Sequence, residues 1–208
     1  MSTAWRSVLA RRAAVADVPI PEALSVRLVA YLDLLEHWNR TINLTSLREP
    51  DAAIDRLVLE PLMAARYLPD GEFRLVDIGS GGGSPALPLV LAAPQAVLTM
   101  VEVRARKAAF LRTAVRDLPV ENARVEEAGV EEVAHRAGLA GSFSVASVRG
   151  VRLTPTLLGA VRTLLRPGGG LFLFSGPSQV DLPGPAPVSL RTHSLVQTLG
   201  SRLIIASW

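Results

Sequence analysis

The 208 residues predict an α/β protein: a mostly parallel, seven-stranded sheet with helices on both faces, ending in an antiparallel hairpin and preceded by a helical extension. Three observations predict it. From Phe73 onward, short β-rich apolar runs alternate with helical patterns, the arrangement of a parallel sheet built through crossover helices. The first run ends in the glycine-rich stretch Gly79-Ser80-Gly81-Gly82-Gly83. Residues 187–208 hold two strand patterns with no clear helix between them, which an antiparallel hairpin at the sheet edge accommodates.

The first 16 residues carry three arginines and no acid. Transit peptides share that composition, but no apolar run with a small-residue cleavage site follows, so the segment reads as a first surface helix. Over 21–38, Leu24, Leu28, Tyr31, Leu32, Leu35 and Trp38 recur at helical spacing; Pro21 suits a first turn, and Asn39 and Asn43 a capped end. Residues 50–68 repeat the pattern through Ile54, Leu57, Val58, Leu62 and Ala65. Pro61, lacking an N–H, should kink or split that helix. Pro69-Asp70-Gly71 is a turn signal, dividing a helical extension, 1–69, packed on the core, from a ligand-binding domain, 70–208.

Within the second part, strands are expected over 73–78, 96–103, 123–127, 143–148 and 171–175. Helices are expected over 86–92, 105–118, 131–137 and 154–165. The helix over 105–118 turns Ala108, Leu111, Val115 and Leu118 inward, and Arg166-Pro167-Gly168-Gly169 should close the last helix. Residues 177–187 form a proline-rich loop.

Composition bounds the function. With 49% hydrophobic and 20% charged residues, the chain is not disordered, and its length supports one core with at most a small appendage. No uninterrupted apolar run is long enough to span a bilayer. The absence of cysteine excludes disulfides, thiolate ligands and cysteine nucleophiles. His37, His135 and His193 are too scattered for a histidine metal site, and no metal is expected. The excess of 22 Lys plus Arg over 19 acids is too small to establish a nucleic-acid partner. Lys107 is the only lysine; arginine suits phosphate, but G+C-rich coding accounts better for the bias. A soluble cytoplasmic monomer is expected.

The site is expected where the first strand ends. In open parallel sheets ligands bind beyond the carboxyl ends of the strands, at the switch point. The turn of Gly79, Ser80, Gly81, Gly82 and Gly83 lets backbone approach a ligand where side chains would collide. Two details separate a methyl donor from a dinucleotide. The third glycine of the dinucleotide fingerprint is missing, with Ala86 in its place after Pro85. Asp77, just before the loop, would repel a pyrophosphate but suits the cationic end of a sulfonium ligand. Glu102, at the end of the second strand, lies 23 residues after Gly79, near the distance at which an acid accepts from both ribose hydroxyls. S-adenosylmethionine is the cofactor these features predict.

The stretch Trp38-Asn39-Arg40-Thr41-Ile42-Asn43-Leu44-Thr45-Ser46 resembles the WN-x-x-x-NLT signature of the small-subunit (16S) rRNA methyltransferase G family, also called glucose-inhibited division protein B. The register continues through DIGSGGGSPALPL at 77–89, Arg106-Lys107-Ala108-Ala109-Phe110-Leu111, Val130-Glu131-Glu132, Val148-Arg149-Gly150 and Leu165-Arg166-Pro167-Gly168-Gly169. The resemblance implies a Rossmann-like class I S-adenosylmethionine-dependent methyltransferase that modifies N7 of a guanine in 16S rRNA, as free RNA, small subunit or subunit intermediate. It implies cofactor contacts at Gly79 and Ser84, the adenine along Val130 and Glu131, and Arg149, the candidate catalytic residue, beside the methionine end or the target base. Guanine N7 carries a lone pair and no proton, so attack on the methyl group needs no general base. Positioning and electrostatics suffice.

The chain departs from the family pattern at several places. Leu57-Val58-Leu59-Glu60-Pro61 stands where the family has a histidine followed by LDS, Ser175-Gly176 where it has a lysine before glycine, and Ser84 where it has an apolar residue. Val148-Arg149-Gly150 replaces a serine-arginine-alanine. These changes fall toward the substrate side and keep open a different RNA or small-molecule acceptor, or a non-catalytic RNA-binding role. An NAD-dependent oxidoreductase is disfavoured by the loop spacing.

Overall fold

A computed structural model describes residues 2–46, 49–118, 120–178 and 180–208. Met1 of the first expected helix and Gln179 of the proline-rich loop lie outside them. The helical extension comprises α1 (Ser2–Val15), α2 (Glu22–Asn39), α3 (Pro50–Ile54), a π-helical turn (Asp55–Leu59) and α4 (Glu60–Ala65). There follow β1 (Phe73–Ile78), α5 (Ala86–Ala92), β2 (Ala96–Val101), α6 (Ala105–Asp117), β3 (Ala123–Glu126) and α7 (Val130–Ala134). β4 (Phe143–Arg149), α8 (Pro155–Leu164), β5 (Leu165–Ser175), β6 (Ser189–Ser194) and β7 (Arg202–Ser207) complete the chain. None of the described helices is long and apolar enough to cross a membrane.

The seven strands form one sheet in the order β3-β2-β1-β4-β5-β7-β6. β1 to β5 pair in parallel, and β7 runs antiparallel between β5 and β6. The expected sheet and hairpin are therefore present. The chain leaves β1 toward β2 on one side and returns through β4 on the other, so the switch point lies between β1 and β4.

Strand alternation then assigns each residue to a face. Phe73 and Leu75 of β1, Leu98 and Met100 of β2 and Val145 of β4 join a cluster with Leu9, Leu28, Tyr31, Leu32 and Leu59 of the helical extension. Val76, Ile78, Val101, Ala146 and Val148 join the cluster under α7 and α8. By the same alternation Asp77, Glu102, Ser147 and Arg149 all fall on the face that the extension covers. The extension thus forms one wall of whatever site these residues make. Arg12 of α1 anchors it, its Nε donating to buried Asp55 Oδ1 at 2.8 Å, with Thr198 Oγ1 donating to Asp55 Oδ2 at 3.1 Å.

Four expectations are corrected. The helix over 50–68 is split as expected, by a π turn just ahead of Pro61, but it ends at Ala65. The Glu60 N–H bonds Asp55 O across five residues, and Pro61 lacks the N–H that would reach Leu57 O in an α register or Arg56 O in a π register. Two carbonyls are thereby freed. Residues 166–169, expected as a closing turn, belong to β5. The backbone at Gly169 approaches the Phe143 and Ser144 carbonyls so closely that a Cβ would lie 3.0 and 3.1 Å from them, and β4 shifts register there. The expected helix over 131–137 is the shorter α7. Asn39 does not cap α2; its Oδ1 accepts from the N–H groups of Leu44 and Thr45 at 2.8 and 3.0 Å, and its Nδ2 donates to Thr45 O at 3.0 Å, folding the loop that follows. Trp38 packs edge-on against Phe110, ring centroids 5.8 Å apart.

Candidate active site

The glycine loop leaves β1 at the switch point and its backbone donors point inward. Gly79 and Ser80 N–H donate to Val101 O at 2.8 and 3.1 Å, and Gly83 N–H donates to Ser80 O at 2.7 Å. Gly81 N–H donates to Glu102 Oε2 at 2.9 Å. A phosphate cradle needs such donors free and converging on the ligand. Here four of the loop's five are already engaged, so the loop fits neither a pyrophosphate nor a nucleotide phosphate.

Glycine at 79 is required by its surroundings: φ is +71°, and a Cβ would lie 2.5 Å from Val151 Cγ2. Gly79→Ala is expected to destabilise the protein by about 2–4 kcal/mol, combining left-handed strain with a forced side-chain shift. Denaturant unfolding should show Val151→Ala recovering the steric share and leaving the backbone share. Gly83, expected to bind the cofactor, faces the core instead, where a Cβ would lie 2.5 Å from Leu87 Cδ1; its size serves helix packing.

Asp77 is 1% exposed. Its Oδ1 accepts from Ser147 Oγ at 2.6 Å, while its buried Oδ2 has no hydrogen-bond partner. Burial, opposed by hydrogen bonds from serine hydroxyls and by Arg149, holds this carboxyl above the usual carboxylate range. A buried carboxylate with one unpartnered oxygen is high in energy until a cation or donor meets it. Glu102 is oriented by two backbone N–H groups, Gly81 on Oε2 and Arg104 on Oε1, both at 2.9 Å.

A cavity of about 580 Å³ opens between this loop and the helical extension. Leu44, Thr45 and Ser46 after α2, Arg56 and Leu57 of the π turn, Gly79 to Gly82, Ser84, Lys107, Arg149 and Gly150 line it. Tyr31, fully buried, donates from its hydroxyl to Gly82 O at 2.7 Å and ties α2 to the loop. A second cavity, about 590 Å³, is lined by Arg162, Arg166 and Trp208 at the opposite end of the sheet. It is remote from the glycine loop, whose residues Gly79 to Gly82 line the first cavity, so the first cavity is the candidate site.

Arg149, at the end of β4, reaches across to the break at Pro61. Its Nη1 donates to the freed Arg56 O and to Glu60 Oε2, the latter at 3.1 Å, and its Nη2 donates to Ser84 Oγ. Ser84 in turn donates to the other freed carbonyl, Leu57 O, at 2.7 Å. Phe174 lies under the guanidinium, 5.6 Å from ring centroid to Cζ. Burial lowers the Arg149 pKa, against Glu60 and Asp77 which raise it. Leu57, Glu60, Pro61 and Ser84, four of the departures noted in the sequence, are therefore one structural unit: proline frees the carbonyls, and arginine and serine satisfy them.

Of the residues singled out by sequence, Gly79, Ser80, Gly81, Ser84 and Arg149 line the cavity, with Asp77 beneath and Glu102 behind the loop. Val130 is buried in the opposite cluster and Glu131 is exposed in the first turn of α7; neither joins the cavity wall. Sequence reasoning missed Ser147, which β4 places opposite Asp77 in register, and assigned no role to Glu60, Arg56 or Lys107. Among the described residues no three acidic or histidine side chains group as a metal site.

Residues 25–184 match the family described as rRNA small subunit methyltransferase G. A ribosomal RNA small subunit methyltransferase G of Stenotrophomonas maltophilia (strain K279a) is 39% identical over 164 residues, 77% of this chain and 73% of that protein. The protein of the same name from Halorhodospira halophila is 35% identical over 178 residues, 84% and 82% of the two chains. Among solved structures, PigF with SAH superposes with a TM-score of 0.57 at 17% identity, covering 89% of this chain and 70% of its own. A SAM-dependent methyltransferase from Aquifex aeolicus gives 0.56 at 12% identity, covering 74% and 92%. The structural likeness bears on the fold.

Proposed function

We infer that this chain, which belongs to the rRNA small subunit methyltransferase G family, is an S-adenosylmethionine-dependent methyltransferase that modifies N7 of a guanine in 16S rRNA. One observation carries the cofactor: a glycine loop with its donors turned inward over a buried carboxylate that keeps one oxygen unpartnered. Such a loop receives a cation at Asp77 and lacks the converging free backbone donors of a phosphate cradle. When bound, S-adenosylmethionine supplies an electrophilic methyl group on a positively charged sulfur.

The chain's own residues do the rest. Asp77 Oδ2 meets the cationic methionine end. Glu102 keeps a second lone pair on each oxygen after its two backbone bonds, and these accept from the ribose hydroxyls. Gly79, Ser80 and Gly81 form the passage between them. Val130 and Glu131 are assigned to the adenine side by the family pattern. Arg149, held by Glu60 and Ser84, stands at the acceptor end of the cavity. Among the described residues no side chain in the wall is poised as a general base, and none is needed for an acceptor nitrogen with a lone pair and no proton; orientation and a fixed electrostatic environment suffice. The acceptor is 16S rRNA, free or within a small subunit or its assembly intermediate, and the protein acts as a cytoplasmic monomer.

The test is transfer of labelled methyl from S-adenosylmethionine to small subunits lacking the modification, with cofactor titration alongside. Wild-type protein is expected to label a single 16S guanine, and Glu102→Ala to lose at least about tenfold in cofactor affinity, as for a hydrogen bond to a charged group. Binding without label would replace the acceptor by another RNA or a small molecule. No binding would leave a non-catalytic RNA-binding protein.

A further inference from the structure

Among the described residues the cavity wall carries three cations, and two of them are engaged. Arg149 holds Arg56 O, Glu60 and Ser84. Arg56 Nε lies 3.8 Å from Glu60 Oε1. Lys107, the only lysine of the chain, makes no hydrogen bond or ion pair among the described residues. It is half-buried in the first turn of α6, and its Nζ lies 3.8 Å from where a Cβ on Gly81 would stand. The ammonium therefore lies alongside the glycine loop, on the cavity side.

This placement is unfavourable in the empty protein. A cation in the first turn of a helix opposes the helix dipole, and Glu102 directs both oxygens at backbone N–H groups. Four of the loop's five backbone donors are engaged within the protein, so for an anion lying along Ser80, Gly81 and Gly82 the charged donor there among the described residues is the Lys107 ammonium. Arginine's fork is already committed at residue 149, whereas a flexible point charge with three donors adapts to a carboxylate or phosphate oxygen.

We propose that Lys107 is the anion-binding group of this cavity, meeting a carboxylate or phosphate oxygen of the ligand that lies along Ser80–Gly82. The two sources of that anion rest on the methyl-transfer reading: the methionine carboxylate of the cofactor, or a phosphate beside the target guanine. The site itself needs only an anion.

The experiment compares wild type with Lys107→Ala and Lys107→Arg, using S-adenosylhomocysteine, 5′-methylthioadenosine, which lacks the amino-acid half, and a 16S rRNA fragment as probes. If the carboxylate is the partner, Lys107→Ala weakens S-adenosylhomocysteine binding about tenfold or more in calorimetry, leaves methylthioadenosine unchanged, and Lys107→Arg restores part of the loss. If a phosphate is the partner, both small ligands bind unchanged. RNA then binds more weakly, and its salt slope falls by roughly 0.7–1. Equal loss for both small ligands, or affinities for all three probes unchanged within twofold, overturns the proposal. Wild-type affinity for S-adenosylhomocysteine separately tests the methyl-transfer reading, so the two can fail independently; wild type binding none of the probes removes both. Because Lys107 has no partner to lose and its charge opposes the helix dipole, the variants should melt at or above wild type, which separates a binding effect from misfolding.

Discussion

Glu60→Ala is expected to remove about 3–5 kcal/mol of stability, the usual result of taking one partner from a buried charge pair. Glu60 is 2% exposed, and the Arg149 side chain it faces at 3.1 Å is 11% exposed. Without the carboxylate, Arg149 keeps two neutral acceptors, Arg56 O and Ser84 Oγ, and loses its nearest counter-charge. The damage should spread, because Arg149 cannot move into solvent without abandoning the carbonyl that Pro61 frees. For a chain of this size the melting temperature should fall by roughly 10 °C or more. Glu60→Gln keeps an acceptor for Arg149 and should lose less. Pairing Glu60→Ala with Ser84→Ala in a double-mutant cycle tests the unit directly. A coupling near zero would show that the four residues contribute separately, while a coupling above about 0.5 kcal/mol is expected of side chains sharing one partner. Thermal and denaturant unfolding read both.

How much of this was legible in the sequence follows from how local each cause is. β1, β2 and β4 are short apolar runs because both faces of a parallel sheet are covered, and a run such as Leu98 to Val101 announces itself without knowledge of its neighbours. Asp77 and Glu102 were legible because each stands at a strand end beside a turn, where a polar residue has few structural reasons to be. The clamp on Arg149 was not legible. It depends on a helical register that slips ahead of Pro61, and on Ser84 and Arg149 arriving from 27 and 93 residues away. Single departures from a family pattern therefore read as losses when together they form a satisfied network. The start of β5 was missed because Arg166-Pro167-Gly168-Gly169 has turn composition, while the close approach of the β4 backbone, a non-local contact, makes it pair. Lys107 was hidden for the opposite reason: it fits the polar face of an amphipathic helix so well that nothing in the local pattern marks it. Val130 and Glu131 stand outside the cavity wall, and their assignment to the adenine rests on the family pattern alone.

Asp77→Asn should move stability and cofactor affinity in opposite directions. In the empty protein the Asp77 carboxyl is held above its ordinary range, chiefly by burial. A group whose folded pKa is raised contributes stability that is fully present below the unfolded pKa and is lost as pH rises through the folded value. At neutral pH, well above the unfolded pKa, burying the Asp77 carboxyl is therefore a burden on the fold. Asparagine keeps an oxygen for the Ser147 hydroxyl and removes the buried charge, so the variant should melt higher than wild type at pH 7, with the gain shrinking on acidification. The cofactor reverses the balance. A cation beside Oδ2 favours the ionised form, lowers the Asp77 pKa and recovers the energy that burial withheld. Replacing the charge should weaken S-adenosylmethionine binding about ten- to hundredfold, as for a lost hydrogen bond between charged groups. The same linkage gives a pH signature. Wild-type affinity should decline as pH falls into the window between the bound and free pKa of Asp77, with proton release on binding visible in calorimetry across buffers of different ionisation enthalpy. Asp77→Asn should abolish the part of that dependence due to Asp77. A variant that is destabilised at pH 7, yet binds the cofactor with the wild-type pH profile, would show that Asp77 serves the fold and that the cation is met elsewhere.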